Sequence, residues 1–113
     1  MDIQLQSHPK ADIVHVGISR IDAGCAIQFK DSVRALLDKL GDRVILDLGQ
    51  VEFVDSSGLG AIVASMKILN GGGSQLELAA LQPNVNKVFR LTRMDKVFVI
   101  HGSPAEALER RVS

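Results

Sequence analysis

One cysteine, no tryptophan, no tyrosine and no net charge leave the chain short of the residues on which several function classes depend. A single thiol, Cys25, has no partner for an internal disulfide, which fits a reducing compartment, and it cannot complete a zinc site with His8, His15 and His101, which are not at ligand spacing. Thirteen basic residues cancel thirteen acidic ones. That removes the electrostatic footprint of a nucleic-acid binder. The locally basic run Lys87, Arg90, Arg93 and Lys96 has no aromatic interleaved for base stacking and reads as a solvated helix face. No apolar run reaches the 18 residues of a membrane span, and no charged-then-apolar leader opens the chain, so no membrane insertion and a cytoplasmic location are expected. A GxxxxGK[ST] phosphate loop is absent, as are repeats, linkers and low-complexity segments.

What is present fits one α/β domain spanning residues 1–113. The 113 residues suffice for a real core, and a hydrophobic content of 46% is ordinary. Met1 to Gln6 alternates like an edge strand, and Asp12 to Ile18 reads as a second strand. From Ala26, the positions Phe29, Val33, Leu36, Leu37 and Leu40 follow helical spacing up to Gly41. Val44 to Leu48 is almost continuously apolar, the pattern of a parallel strand covered on both faces. Leu59, Ile62, Val63 and Met66 then form a helical stripe that the glycines of Asn70-Gly71-Gly72-Gly73-Ser74 stop before a strand from Gln75 to Ala80. This strand-helix-strand succession is a βαβ unit. Pro83 starts a helix with Val85, Val88 and Phe89 inward, Val97 to Ile100 reads as a short strand, and Ser103-Pro104-Ala105-Glu106 is a capping box that opens a last helix to about Arg110. The sum is a central mixed sheet of four or five strands with about four helices.

The chemistry concentrates at Val54-Asp55-Ser56-Ser57-Gly58-Leu59-Gly60, where a strand-like run opens directly into a helix. The first N–H groups of a helix lack intrahelical partners, and the aligned peptide dipoles add roughly half a positive charge there. A serine at such a terminus can cap the helix or carry a phosphate, and both readings stay open on the residues alone. Enzymatic readings fare worse. Gly58-Leu59-Gly60-Ala61-Ile62-Val63, with Glu77 downstream, starts like a dinucleotide fingerprint but has Val63 where the third glycine belongs. A small serine hydrolase would use Ser56 with Asp95 and His101, yet Val54 stands where the nucleophile elbow needs glycine. No catalytic residue, cofactor site or metal site is assigned.

Ile45-Leu46-Asp47-Leu48, followed by Val51-Glu52-Phe53-Val54-Asp55-Ser56-Ser57-Gly58-Leu59-Gly60, resembles the signature of the STAS domain in the form found in bacterial anti-sigma-factor antagonists. The likeness continues through Gly71 to Gly73 and Pro83-Asn84-Val85-Asn86-Lys87-Val88-Phe89, and Asp22 matches the acidic residue that ends the family's second strand. It covers roughly residues 12 to 100. The resemblance implies partner switching. A serine-kinase anti-sigma factor would hold the unphosphorylated chain and phosphorylate it, and a metal-dependent serine phosphatase would reverse the mark. The implied phosphorylation site is Ser56, with Ser57 second, and the implied partner contacts are Asp22, Ala23, Gly24, Asp55, Ser57, Gly58 and Leu59. The alternative within the family is an accessory subunit of a membrane transporter or a lipid-transport ATPase. The chain departs from the family pattern in three places. Ser19 and Arg20 replace a Gly-Glu pair, which points to a partner of different charge, and Arg93 replaces a glycine after the third helix.

Overall fold

A computed structural model describes residues 1–110 and places the apolar run Val44-Ile45-Leu46 at the centre of a five-stranded sheet. The strands are β1 (Ile3–Ser7), β2 (Asp12–Val16), β4 (Arg43–Asp47), β6 (Gln75–Ala79) and β7 (Ile100–His101), in the order β1-β2-β4-β6-β7. β1 pairs antiparallel with β2, while every other neighbour is parallel. The sheet is mixed for a simple reason. A short turn can join only antiparallel neighbours, and the parallel pairs each need a helical crossover. A separate parallel pair, β3 (Arg20–Ile21) and β5 (Phe53–Val54), stands beyond the ends of β2 and β4.

Helices α1 (Ala26–Ala35), α2 (Ser56–Gly71) and α3 (Pro83–Leu91) bury Phe29, Val33, Ile62, Leu69, Val85 and Phe89 against Val14, Val44, Leu46, Leu76 and Leu78. Each such large side chain, taken fully out of water, contributes roughly 2–3 kcal/mol. Phe89 meets Phe98 edge to face, with centroids 6.0 Å apart. The opposite face is covered by the short α4 (Pro104–Glu109), and its apolar core is small: Ala11, Ile13, Ile45, Ala79 and Ala107. Between them lies a buried ionic cluster. Arg43 donates to both carboxylate oxygens of Glu77 at 2.8 Å and to the Ala107 carbonyl at 2.7 Å, and His101 Nε2 sits 2.7 Å from Glu77 Oε1. Burial pushes the Glu77 carboxyl up, but the bonds from Arg43 and then His101 outweigh it and hold the group below its ordinary range.

Several boundaries differ from the sequence reading. α1 stops at Ala35, and the last apolar positions before Gly41 wind through a 3₁₀ turn at Leu37–Lys39. The final strand is Ile100–His101 instead of Val97 to Ile100. A 3₁₀ turn at Met94–Lys96 leaves Val97 exposed and turns Phe98 into the core, so pairing with β6 begins only beyond them. Arg93 precedes that turn in the left-handed region, with φ of 60°. Left-handed backbone favours glycine, and here the chain places an arginine in it.

Candidate functional site

The strand-like run that includes Val44 to Val54 is two strands in space. β4 ends at Asp47, whose side chain accepts a bond from the Gly49 N–H and turns the chain, and β5 then pairs with β3 in the register Arg20–Phe53 and Ile21–Val54. That pairing brings the β3–α1 loop against the start of α2. Asp55 fastens the two together. It is the N-cap of α2, where one carboxylate oxygen accepts from the Gly58 N–H at 2.8 Å, while the other accepts from the Ala23 N–H at 3.1 Å. The capping role that the sequence left open to a serine therefore belongs to Asp55, and both Ser56 and Ser57 stand exposed in the first turn of α2.

Gly58 is buried, and a Cβ there would collide with the Ile21 carbonyl oxygen, so its missing side chain lets α2 close onto β3. Leu59 is half-buried and packs against the core. Ala23 and Gly24 are exposed beside Asp22. One oxygen of Asp22 accepts from the Gly24 N–H at 3.0 Å and the other from Arg20 Nε at 3.2 Å. The bond from Arg20 is the main reason that the Asp22 carboxyl lies below its ordinary range, with the Gly24 N–H adding to it. Cys25 takes the N-cap position of α1 but makes no side-chain cap bond, and its thiol faces the Arg20 carbonyl at 3.4 Å. The structure thus gathers Asp22, Ala23, Gly24, Asp55, Ser56 and Ser57 at one end of the domain, at the mouths of β3 and β5.

The other residues weighed from the sequence lie elsewhere. Glu77 is sealed in its pair with Arg43 and cannot reach a ribose, and His101 is engaged with Glu77. His15 bonds to Asp47 and Gln6, and His8 accepts from the Lys10 N–H. Among the described residues, no histidine is bonded to Ser56 or Ser57. Lys87, Arg90, Arg93 and Lys96 are exposed. Among the described residues no three potential ligands gather around a metal position, and no helix is long and apolar enough to cross a membrane.

The exposed Ser-Ser pair stands in the first turn of a helix that the preceding aspartate fastens to a second strand-to-helix loop, and the STAS domain matches residues 2–107. The chain belongs to the STAS domain family. Among STAS relatives, the anti-sigma-B factor antagonist of Listeria monocytogenes is 30% identical over 98 residues, 84% of this chain and 86% of that one. The crystal structure of an anti-sigma factor antagonist from Mycobacterium paratuberculosis superimposes with a TM-score of 0.81 at 25% identity, covering 96% of this chain and 91% of that one. The antagonist SpoIIAA in its unphosphorylated form shares the STAS fold with a TM-score of 0.75 at 20% identity, over 99% of this chain and 100% of that one, and a structure of its phosphorylated form also exists.

Sequence reasoning missed three parts of this STAS surface. Asp55's second bond reaches Ala23, 32 positions away. Arg20 lies over the Phe53 ring, 4.4 Å from its centroid. Gly58's contact with Ile21 is backbone to backbone. The only signal for any of them was the run Asp-Ser-Ser-Gly itself, in which a glycine two positions after the helix start is poor for helix formation and so asks for a packing reason.

Proposed function

We propose that this STAS domain is a phosphorylation-regulated anti-sigma-factor antagonist that works by partner switching. The observation that carries the reading is Ser56, exposed in the first turn of α2 immediately after an aspartate whose oxygens are both engaged by backbone N–H groups. A partner in this scheme is an ATP-dependent serine kinase that is also the anti-sigma factor. It binds the unmodified surface and transfers phosphate to Ser56, with Ser57 the second choice, and a metal-dependent serine phosphatase restores the surface.

The physical chemistry favours release without unfolding. Phosphate adds about −1.5 to −2 charges at pH 7, and the helix terminus offsets part of that charge locally. The surface that the partner met as neutral serines becomes strongly anionic and bulkier. A loss of about 3 kcal/mol would weaken binding on the order of a hundredfold. The fold accommodates such a mark, since SpoIIAA holds it in both forms.

Mass spectrometry after incubation with ATP and lysate of the host is expected to place phosphate on Ser56. Ser56→Ala should keep partner binding and resist modification, at a stability cost under about 0.5 kcal/mol because Asp55 supplies the cap. Ser56→Asp should bind weakly, an imperfect mimic with one charge. Absence of phosphate from both serines, together with wild-type binding by both variants, would overturn the reading and favour an accessory role on a transporter.

A further inference from the structure

The exposed face of the β3–β5 pair carries a side chain that capping and phosphorylation do not use. Arg20 is 59% exposed, its Nε donates to Asp22 at 3.2 Å, and its guanidinium carbon lies 4.4 Å from the Phe53 ring centroid. These contacts take one N–H and one flat face. Among the described residues, neither terminal nitrogen of Arg20 has an intramolecular partner, so the outer edge of the fork offers its donors to solvent in a fixed orientation. A planar fork held this way matches two parallel hydrogen bonds to a carboxylate. Phe53 is itself 41% exposed, and Arg20 also lines an open groove of about 350 Å³ together with Met1, Ile18, Ser19, Cys25 and Gln28. Arginine and aromatic side chains at the edge of a groove are the residue types in which interface energy concentrates.

Resting on the switch proposed above, we infer that Arg20 is a specificity-determining contact for the kinase partner and takes an aspartate or glutamate side chain from that partner's surface. Arg20 pairs with Asp22 through Nε alone, and both oxygens of the Asp55 carboxylate accept from backbone N–H groups, those of Ala23 and Gly58. Among the described residues the terminal nitrogens of Arg20 are left without a partner, and a fork that presents two donors side by side selects a carboxylate over a neutral group. Phosphate on Ser56, three residues along the chain from the ring beneath Arg20, would repel that same carboxylate. One contact thus sets both which partner binds and when it leaves.

The test uses the kinase purified from host lysate by following phosphate transfer to Ser56. Arg20→Gln is expected to weaken its binding to the full chain about tenfold, Arg20→Glu to weaken it further, and Arg20→Lys to fall between wild type and Arg20→Gln, since lysine keeps the charge but loses the fork and the stacking. Thermal unfolding should be the same for all. Replacing aspartates and glutamates of the kinase by lysine, one at a time, should yield one variant that restores binding to Arg20→Glu. Wild-type affinity in all Arg20 variants overturns the inference while leaving the switch intact. So does loss of binding that no kinase variant rescues, because Arg20 would then act by positioning Asp22. An effect confined to the phosphorylated chain, seen as a changed phosphorus resonance in Arg20→Gln, also overturns it in favour of an internal contact to the phosphate. Absence of any transfer to Ser56 or Ser57 removes the switch and the inference with it.

Discussion

Asp55 shows how one carboxylate can cap a helix and hold a distant loop together, beside the serines proposed as the switch. Its oxygens cap α2 and hold the Ala23 N–H. Asp55→Ala removes a cap worth about 1 kcal/mol and a second bond of similar size, so a loss of about 2 kcal/mol and a fall of several degrees in melting temperature are expected by calorimetry. Asp55→Asn keeps an oxygen for the cap and should melt close to wild type while changing the charge that a partner meets. A difference in partner binding between Asp55→Asn and wild type, without a difference in melting, assigns the charge to the interface. The Asp22 carboxylate bonds to Arg20 and Gly24, two positions away on either side, and Asp22→Ala should leave the melting temperature nearly unchanged. The sequence made Asp22, Asp55 and the serines legible as candidates, because a motif is local. It did not show that Asp55 does two jobs, because the second partner is 32 positions away and nothing in the intervening residues marks it.

At the scale of elements, the helices and long strands were legible and the smallest pair was not. Periodicity needs several residues to express itself, and β3 and β5 have two each. Their positions follow instead from the chain's need to return to the mouths of β2 and β4. The same absence of pattern misplaced the last strand, because Val97-Phe98-Val99-Ile100 is apolar throughout and composition cannot tell a strand from an irregular segment that buries Phe98. The contact between β3 and α2 depends on Gly58, whose missing side chain admits the Ile21 carbonyl. Gly58→Ala gains helix propensity of about 1 kcal/mol yet forces a backbone clash, and the net expected outcome is destabilisation by about 2 kcal/mol. Urea unfolding followed by circular dichroism measures it. An unchanged midpoint would mean that α2 can swing away from β3 at no cost.

Over the whole molecule the two faces of the sheet are unequal, and this unevenness sets the response to acid. The face under α1, α2 and α3 is apolar, whereas the face under α4 holds the Arg43–Glu77–His101 cluster. Glu77 is fully buried under α4, with Arg43 reaching it from the neighbouring strand. The folded Glu77 carboxyl titrates below its ordinary value of 4.5, so the unfolded chain binds the extra proton first as pH falls. The stability it contributes is present above about pH 4.5 and is lost as pH drops through the lower, folded value. Glu77→Gln should destabilise the protein by about 3 kcal/mol at pH 7, since Arg43 is left without its counter-charge, and should flatten the acid limb of stability against pH. An acid limb as steep as wild type would assign it to other carboxylates.

The bond between Ala23 and Asp55 also bears on when the surface comes into being. Its two ends are separated by 32 positions, so loop-closure entropy must be overcome before the contact can form, and a chain leaving the ribosome at about 5–20 residues per second exposes the first half of the site seconds before the second. An unfolded or nascent chain presents Ser56 as one hydroxyl among several, without the aligned loop beside it. Under the proposed switch, a kinase that reads the assembled loops would pass over such chains, and the geometry of the site would act as a proofreading step that admits only molecules that have finished folding.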